Sequence, residues 1–315
     1  MHATGRHARE GRPVVRTAAA LALAAWISAS GCSVKRLAVN RLGDALASGS
    51  SAYASDDDPE FVRDAIPFGL KTIESLLAES PRHTGLLLAA TSGYTQYAYA
   101  FLQSEGDYVE DTDLARATAL RVRAVRMYKR AIEYGLRGLE VRRPGIRERL
   151  RLAPRDAVTA LGKPDVPLMY WTAAAWGAAI SAAKQDAELT ADLPAVEALI
   201  RRALQLDETY GDGALYDFMI SYEGGRPASA GGSLTRAKEA LDKAVAISKG
   251  RRAAPFVSYA ETVDVGTQDR SEFEALLARA LAVDPDAVPE QRLANLISQK
   301  RARWLLAKKD QLFVE

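Results

Sequence analysis

The stretch that most constrains this chain is Val166 to Lys184, VPLMYWTAAAWGAAISAAK, which carries no charge between Asp165 and Lys184. Pro167 suits a first helical turn, where its missing N–H removes no intrahelical bond. Trp171 and Trp176 are five residues apart, so a helix turns them to faces roughly 140° apart. Ala173, Ala174, Ala175, Gly177, Ala178 and Ala179 fill the rest. A helix apolar on all sides must be surrounded by other elements. It is too short and too interrupted to span a bilayer, which needs about 20 apolar residues. The expectation is a central helix in an all-α domain, with small residues letting its neighbours approach closely.

The N-terminus reads as an address. Arg6, Arg9, Arg12 and Arg16 precede an apolar run, Thr17 to Ala29, and then Ser30, Gly31 and Cys32. A basic segment, a short apolar core and a small-residue cleavage site make a bacterial secretory signal. Ala29-Ser30-Gly31-Cys32 resembles a lipobox, with Ala29 where Leu is commoner, so residues 1–31 are expected to be removed and Cys32 lipidated. A triacylated Cys anchors stably, at about 0.8 kcal/mol per buried CH₂. Ser33 after the Cys favours the periplasmic face of the outer membrane. Cys32 is the only cysteine, so no internal disulfide forms.

Residues 1–31 hold four arginines and one glutamate, so their removal leaves 38 basic and 39 acidic side chains. A body so near neutrality argues against nucleic-acid binding. The body, 32–315, reads as a single helical domain. Asp56, Asp57 and Asp58 before Pro59 read as a helix cap rather than a cation site. A small-x3-large-x2-small signature then recurs: Gly69-Ile73-Leu76, Ala124-Tyr128-Ala131, Val196-Ile200-Ala203, Ala237-Leu241-Ala244 and Phe273-Leu277-Ala280. Pro81 and Pro285 each follow a copy by five residues. That spacing matches the second helix of a tetratricopeptide repeat, although only the last two intervals approach its period of about 34 residues. The acidic stretch 107–113 and the basic stretch 142–151 read as solvated faces, and Gly224 to Gly232 as a flexible connection.

Catalytic chemistry is sparse. His83 is the only histidine after residue 31, which leaves no Cys/His zinc set and no Cys–His pair. Ser181-Ala-Ala-Lys184 is an SxxK motif without the Ser-Asp-Asn and Lys-Thr-Gly companions of penicillin-binding enzymes. No cofactor or metal is expected.

Six segments carry a resemblance: Ala54–Glu60, Gly93–Phe101, Asp165–Trp176, Leu206–Leu215, Gln268–Phe273 and Arg292–Gln299. They resemble TatT, the T component associated with tripartite ATP-independent periplasmic (TRAP) transporters. The resemblance implies a periplasmic lipoprotein of tetratricopeptide-like helix pairs. It implies a homotrimer with a cavity through each subunit, and association with the solute-binding P component in handling a hydrophobic ligand. Stacked helix pairs suit protein binding. Tyr170, Trp171, Trp176, Tyr216, Phe218 and Tyr222 are candidates to line a ligand path, the alternative for each being core packing. Asn295, Gln299 and Arg303 form a polar helix face that reads as surface, oligomer contact or cavity mouth. Two other functions compete: a tetratricopeptide-like scaffold for envelope assembly, and an SxxK acyl-enzyme.

The signal reading predicts that Cys32→Ala abolishes incorporation of radiolabelled palmitate. Equal labelling of the variant would refute the anchor.

Overall fold

The structure, a computed structural model, describes His2, residues 40–44 and residues 50–314; Cys32 and the rest of the signal region lie outside the described residues. No strand occurs among the described residues, so the all-α expectation holds. The principal helices are α1 (Pro59–Glu79), α2 (Thr84–Ala98), α3 (Ser104–Val109), α4 (Leu114–Arg142), α5 (Val166–Ala182), α6 (Leu193–Leu206), α7 (Ala214–Gly224), α8 (Leu234–Ser248), α9 (Ala254–Tyr259), α10 (Arg270–Leu281) and α11 (Arg292–Ala307).

The starts of these helices are legible locally. Asp58 accepts from the N–H groups of Glu60 and Phe61, at 3.0 Å each, with Pro59 in the first turn. Asp113, Ser233 and Asp269 cap α4, α8 and α10 in the same way. His83 also serves as a cap. Its Nδ1 accepts from Leu86 N at 3.2 Å, while Nε2 faces the Asn40 carbonyl and Asp44, each at 3.3 Å.

Helix α5 lies at the centre, against α2, α4 and α6. Its buried residues include Leu168, Met169, Thr172, Ala173, Ala175, Trp176 and Ala179, as an all-round apolar helix requires. The closest approach depends on glycines of α4. A Cβ on Gly135 would sit 2.2 Å from Thr172 Oγ1, and one on Gly138 would sit 2.7 Å from Leu168 Cδ2. Small residues on the partner helix, and not only on α5, set this spacing.

Four of the five recurring signatures mark buried seams. Ala124-Tyr128-Ala131, Val196-Ile200-Ala203, Ala237-Leu241-Ala244 and Phe273-Leu277-Ala280 are all at most 1% exposed. The first copy is out of register: Gly69, Ile73 and Leu76 are half-buried, and the core takes Leu70 and Leu77, one position on.

Neighbouring helices pack in chain order, and the chain then closes on itself. Helix α11 packs on α9 and α10, and also on α1 and the short helix Ser50–Ala54. Arg292 Nη1 donates to the Ser55 carbonyl at 3.0 Å, and Lys300 pairs with Glu60 at 3.2 Å. The acidic stretch belongs to this closure rather than to a solvated face. Asp107 pairs with Arg301 at 3.0 Å and with Arg121 at 2.8 Å, and Asp111 pairs with Lys308.

The glycine-rich connection after α7 is also braced. Fully buried Glu223 faces Arg201, Arg236 and Arg226 at 3.2, 2.7 and 3.7 Å. The Arg226 guanidinium lies 3.7 Å over the Tyr222 ring and donates to the Ala230 carbonyl at 2.8 Å. Burying one carboxylate among three guanidiniums is tolerable because its charge is compensated.

The α4–α5 seam gives a contrast. Gly135→Ala forces its methyl into Thr172 and should cost about 1–3 kcal/mol. Gly266→Ala meets nothing within 4 Å and should gain up to about 1 kcal/mol from helix propensity. Equal shifts in urea midpoint at equal slope would mean that the seam is not close-packed.

Candidate functional site

Two helices widen by one residue per turn where they face the interior. Between α2 and α3 the backbone runs as a π-helix over Tyr99–Gln103, and after α9 it does so over Ala260–Asp264. Such insertions occur frequently at functional sites because the extra residue re-aims side chains that a regular helix would bury elsewhere. Here they bring Tyr99 and Glu261, far apart in the chain, around Arg301 of α11.

Arg301 is the hub. Its side chain is 9% exposed, and its Nε donates to Glu261 Oε2 at 3.2 Å. Nη2 also meets Glu261, and Nη1 lies 3.0 Å from Asp107. Burial alone would lower its pKa, but Glu261 and Asp107 hold it above the ordinary guanidinium value. The guanidinium stacks 4.3 Å from the Trp304 ring, and Trp304 packs on Tyr108 with ring centres 5.5 Å apart.

Tyr99 keeps 44% of its surface open to water. Even so, enclosure raises its hydroxyl pKa far above the ordinary tyrosine value, with Glu261 adding to the rise. Behind Tyr99, the buried Tyr128 hydroxyl donates to Gln103 at 2.8 Å.

A second polar group lies near Tyr99 on α7. Asp217 accepts from Ser258 Oγ at 2.8 Å and pairs with Arg252 at 3.4 Å. Burial raises the Asp217 pKa, opposed by Arg252 and Ser258. Tyr170 adjoins this pair. Burial pushes its hydroxyl pKa up, opposed by Arg252 and reinforced by Asp217.

The six aromatic candidates therefore divide. Tyr170 and Trp171 are half-buried, with ring centres 4.9 Å apart, and Tyr210 packs 5.5 Å from Tyr170. Burial raises the Tyr210 hydroxyl pKa, opposed by the nearby Trp171 indole. Trp176 is 7% exposed, so it belongs to the core. Phe218 stacks on Tyr222 and lies against Gly177 of α5. Tyr222 is buried under Arg226, and the Tyr216 hydroxyl donates to Glu208 at 2.9 Å.

The polar face on α11 separates as well. Asn295 is buried, accepts from Ala253 N at 3.0 Å and donates to the Arg251 carbonyl at 3.0 Å. Gln299 is buried and donates to the Val283 carbonyl at 2.7 Å. These amides brace the ends of other segments and are not surface, whereas Arg303 is exposed. Each step of four residues turns a helix by about 40°, so Arg303 points about 80° away from Asn295. Ser181 and Lys184 are both exposed, and Lys184 lies beyond the end of α5.

Sequence reasoning missed Asp107, Asp217, Arg252, Glu261 and Arg301. One signal was available. Asp217 is the only charge between Ala214 and Tyr222, and Glu261 the only one between Ala253 and Val263. A lone charge in an apolar helix either faces water or must find a partner.

A family model described as TRAP transporter T-component matches residues 55–313. An uncharacterised protein of Treponema pallidum (strain Nichols) is 28% identical over 312 residues, covering 93% of this chain and 97% of its own length.

Asp264 closes the second π turn. It is 1% exposed, and neither carboxyl oxygen has a hydrogen-bond partner. Burial, with Glu272 and Asp269 adding to it and Lys238 opposing, pushes its pKa up to about 7 from 3.8. The fold thus favours the protonated acid. The stability it contributes is complete below the unfolded pKa and is lost as pH rises through the folded one. Asp264→Asn should therefore raise the urea midpoint at about pH 8.5 and change it little at about pH 4. A pH-independent difference would show that Asp264 is not the titrating group.

Proposed function

The chain belongs to the TRAP transporter T-component family, and on that premise we propose that it is a non-catalytic periplasmic binding protein. It is lipid-anchored through Cys32 at the periplasmic face of the outer membrane, works as a homotrimer of tetratricopeptide-like helix pairs, and engages the solute-binding P component of a TRAP transporter.

The observation that carries the reading is the family match over residues 55–313, and the place for a ligand path is where the two π turns bring half-exposed Tyr99 and Glu261 beside Arg301. The charges near Tyr99 are engaged with one another, Arg301 with Glu261 and Asp107, and Arg252 with Asp217. Aromatic walls offer apolar area with few groups to desolvate. The ligand that fits is a molecule with an apolar body and one polar end. Exposed Ser181 and Lys184 give no support to an acyl-enzyme.

The test uses a long-chain fatty acid as probe and tryptophan fluorescence as readout. Trp171→Ala should weaken binding by about 1 kcal/mol or more with helical circular dichroism unchanged. Trp176→Ala should cost about 3–5 kcal/mol of stability. If the wild-type protein binds no such probe, and captures no solute-binding protein from its own periplasm, the transport reading falls and the envelope scaffold replaces it.

A further inference from the structure

The outermost layer of the fold leaves bulky apolar groups in water. Phe61 and Phe68 of α1 are 65% and 79% exposed. They are seven residues apart, so they lie within about 20° of each other on one helix face. Tyr53, 42% exposed, lies against the same helix with its hydroxyl 3.1 Å from where a Gly69 Cβ would stand. Leu42, 51% exposed, lies in the adjoining segment 40–44. Each Phe left in water forgoes the favourable burial of a large apolar side chain. A cluster of this kind marks a surface that something covers.

The chain's own connectivity says what covers it. Segment 40–44 is pinned to the C-terminal end of α1: Ser80 Oγ donates to Asn40 Oδ1 at 2.7 Å, and the Asn40 carbonyl faces His83. Cys32 precedes Asn40 by eight residues, which span at most about 29 Å when fully extended. Phe68 lies about 18 Å along the helix from Ser80. A lipid on Cys32 therefore holds this face within reach of the bilayer, whatever path the intervening residues take. In the sequence, Lys35, Arg36 and Arg41 follow Cys32 closely, and Arg41 is exposed. Basic residues near a bilayer surface attract anionic headgroups.

We propose that the Phe61–Phe68 face of α1 is a membrane-contact surface. It beds into the headgroup region of the bilayer that carries the anchor and sets the orientation of the molecule on it. This rests on the lipid-anchor reading, which the mass of the N-terminal residue of protein taken from its own envelope tests separately.

The contact itself is tested without relying on natural lipidation. The chain beginning at Cys32 is coupled through that thiol to a maleimide phospholipid, in vesicles of equal parts phosphatidylethanolamine and phosphatidylglycerol. A photoreactive p-benzoylphenylalanine replaces Phe61, Phe68 or, as a control on another face, the exposed Val122 of α4. After irradiation, mass spectrometry should find phospholipid adducts at 61 and 68 and none at 122. Absence of lipid adducts at 61 and 68, or equal yields at all three positions, overturns the proposal. Adducts joining 61 or 68 to a second copy of the chain also overturn it, and assign the face to self-association.

Discussion

Everything in this fold hangs on how closely α4 and α5 approach each other. The missing side chains of Gly135 and Gly138 let the two helices pack backbone to side chain, with Thr172 and Leu168 filling the space. Because α5 is apolar all round, it can be satisfied only by neighbours on every side, and α2, α4 and α6 supply them. Once those four helices are locked, the direction of everything C-terminal to α6 is constrained. The later helices must wrap round to return α11 to the N-terminal layer. That return is what brings Arg301 to Glu261 and Asp107.

The sequence was most legible where one side of a helix meets one neighbour. Ala124-Tyr128-Ala131 and its three later counterparts are buried because a small–large–small row is what a close helix seam selects. The first copy misled because α1 is an end layer. With one side packed on α2 and the other open, Gly69 receives Tyr53 instead of a helix, and the core rotates onto Leu70 and Leu77. The candidate site was legible only in part. Aromatic residues were the visible signal, but aromatics fill cores and line cavities alike, and Trp176 and Tyr222 went to the core. The charged residues were hidden for a different reason. Arg301 comes from the last long helix, Glu261 from a π turn and Asp107 from the segment before α4. Only the closed fold puts them together, and no local spacing encodes it.

The two π turns deserve a physical reading of their own. An i→i+5 turn gives up some hydrogen-bond quality and persists where the surroundings reward the displaced side chains. At Tyr99–Gln103 the reward is the Tyr128–Gln103 hydrogen bond and the wall position of Tyr99. At Ala260–Asp264 it is the Glu261–Arg301 pair, while Asp264 is left as a buried acid without a partner. A π turn and an unsatisfied buried acid in one short segment mark a place kept for something other than stability.

The return of α11 to α1 changes the thermodynamics of the whole array. An open stack of helix pairs behaves as a one-dimensional chain: units contribute nearly independently, ends fray first, and units can be added or lost at either tip. A stack joined tip to tip has no tip. Each layer is then held from both sides, so melting as a single event is favoured over fraying from an end. The number of units is also fixed, because one more pair would enlarge the circumference and pull Arg301 away from Asp107 and Glu261.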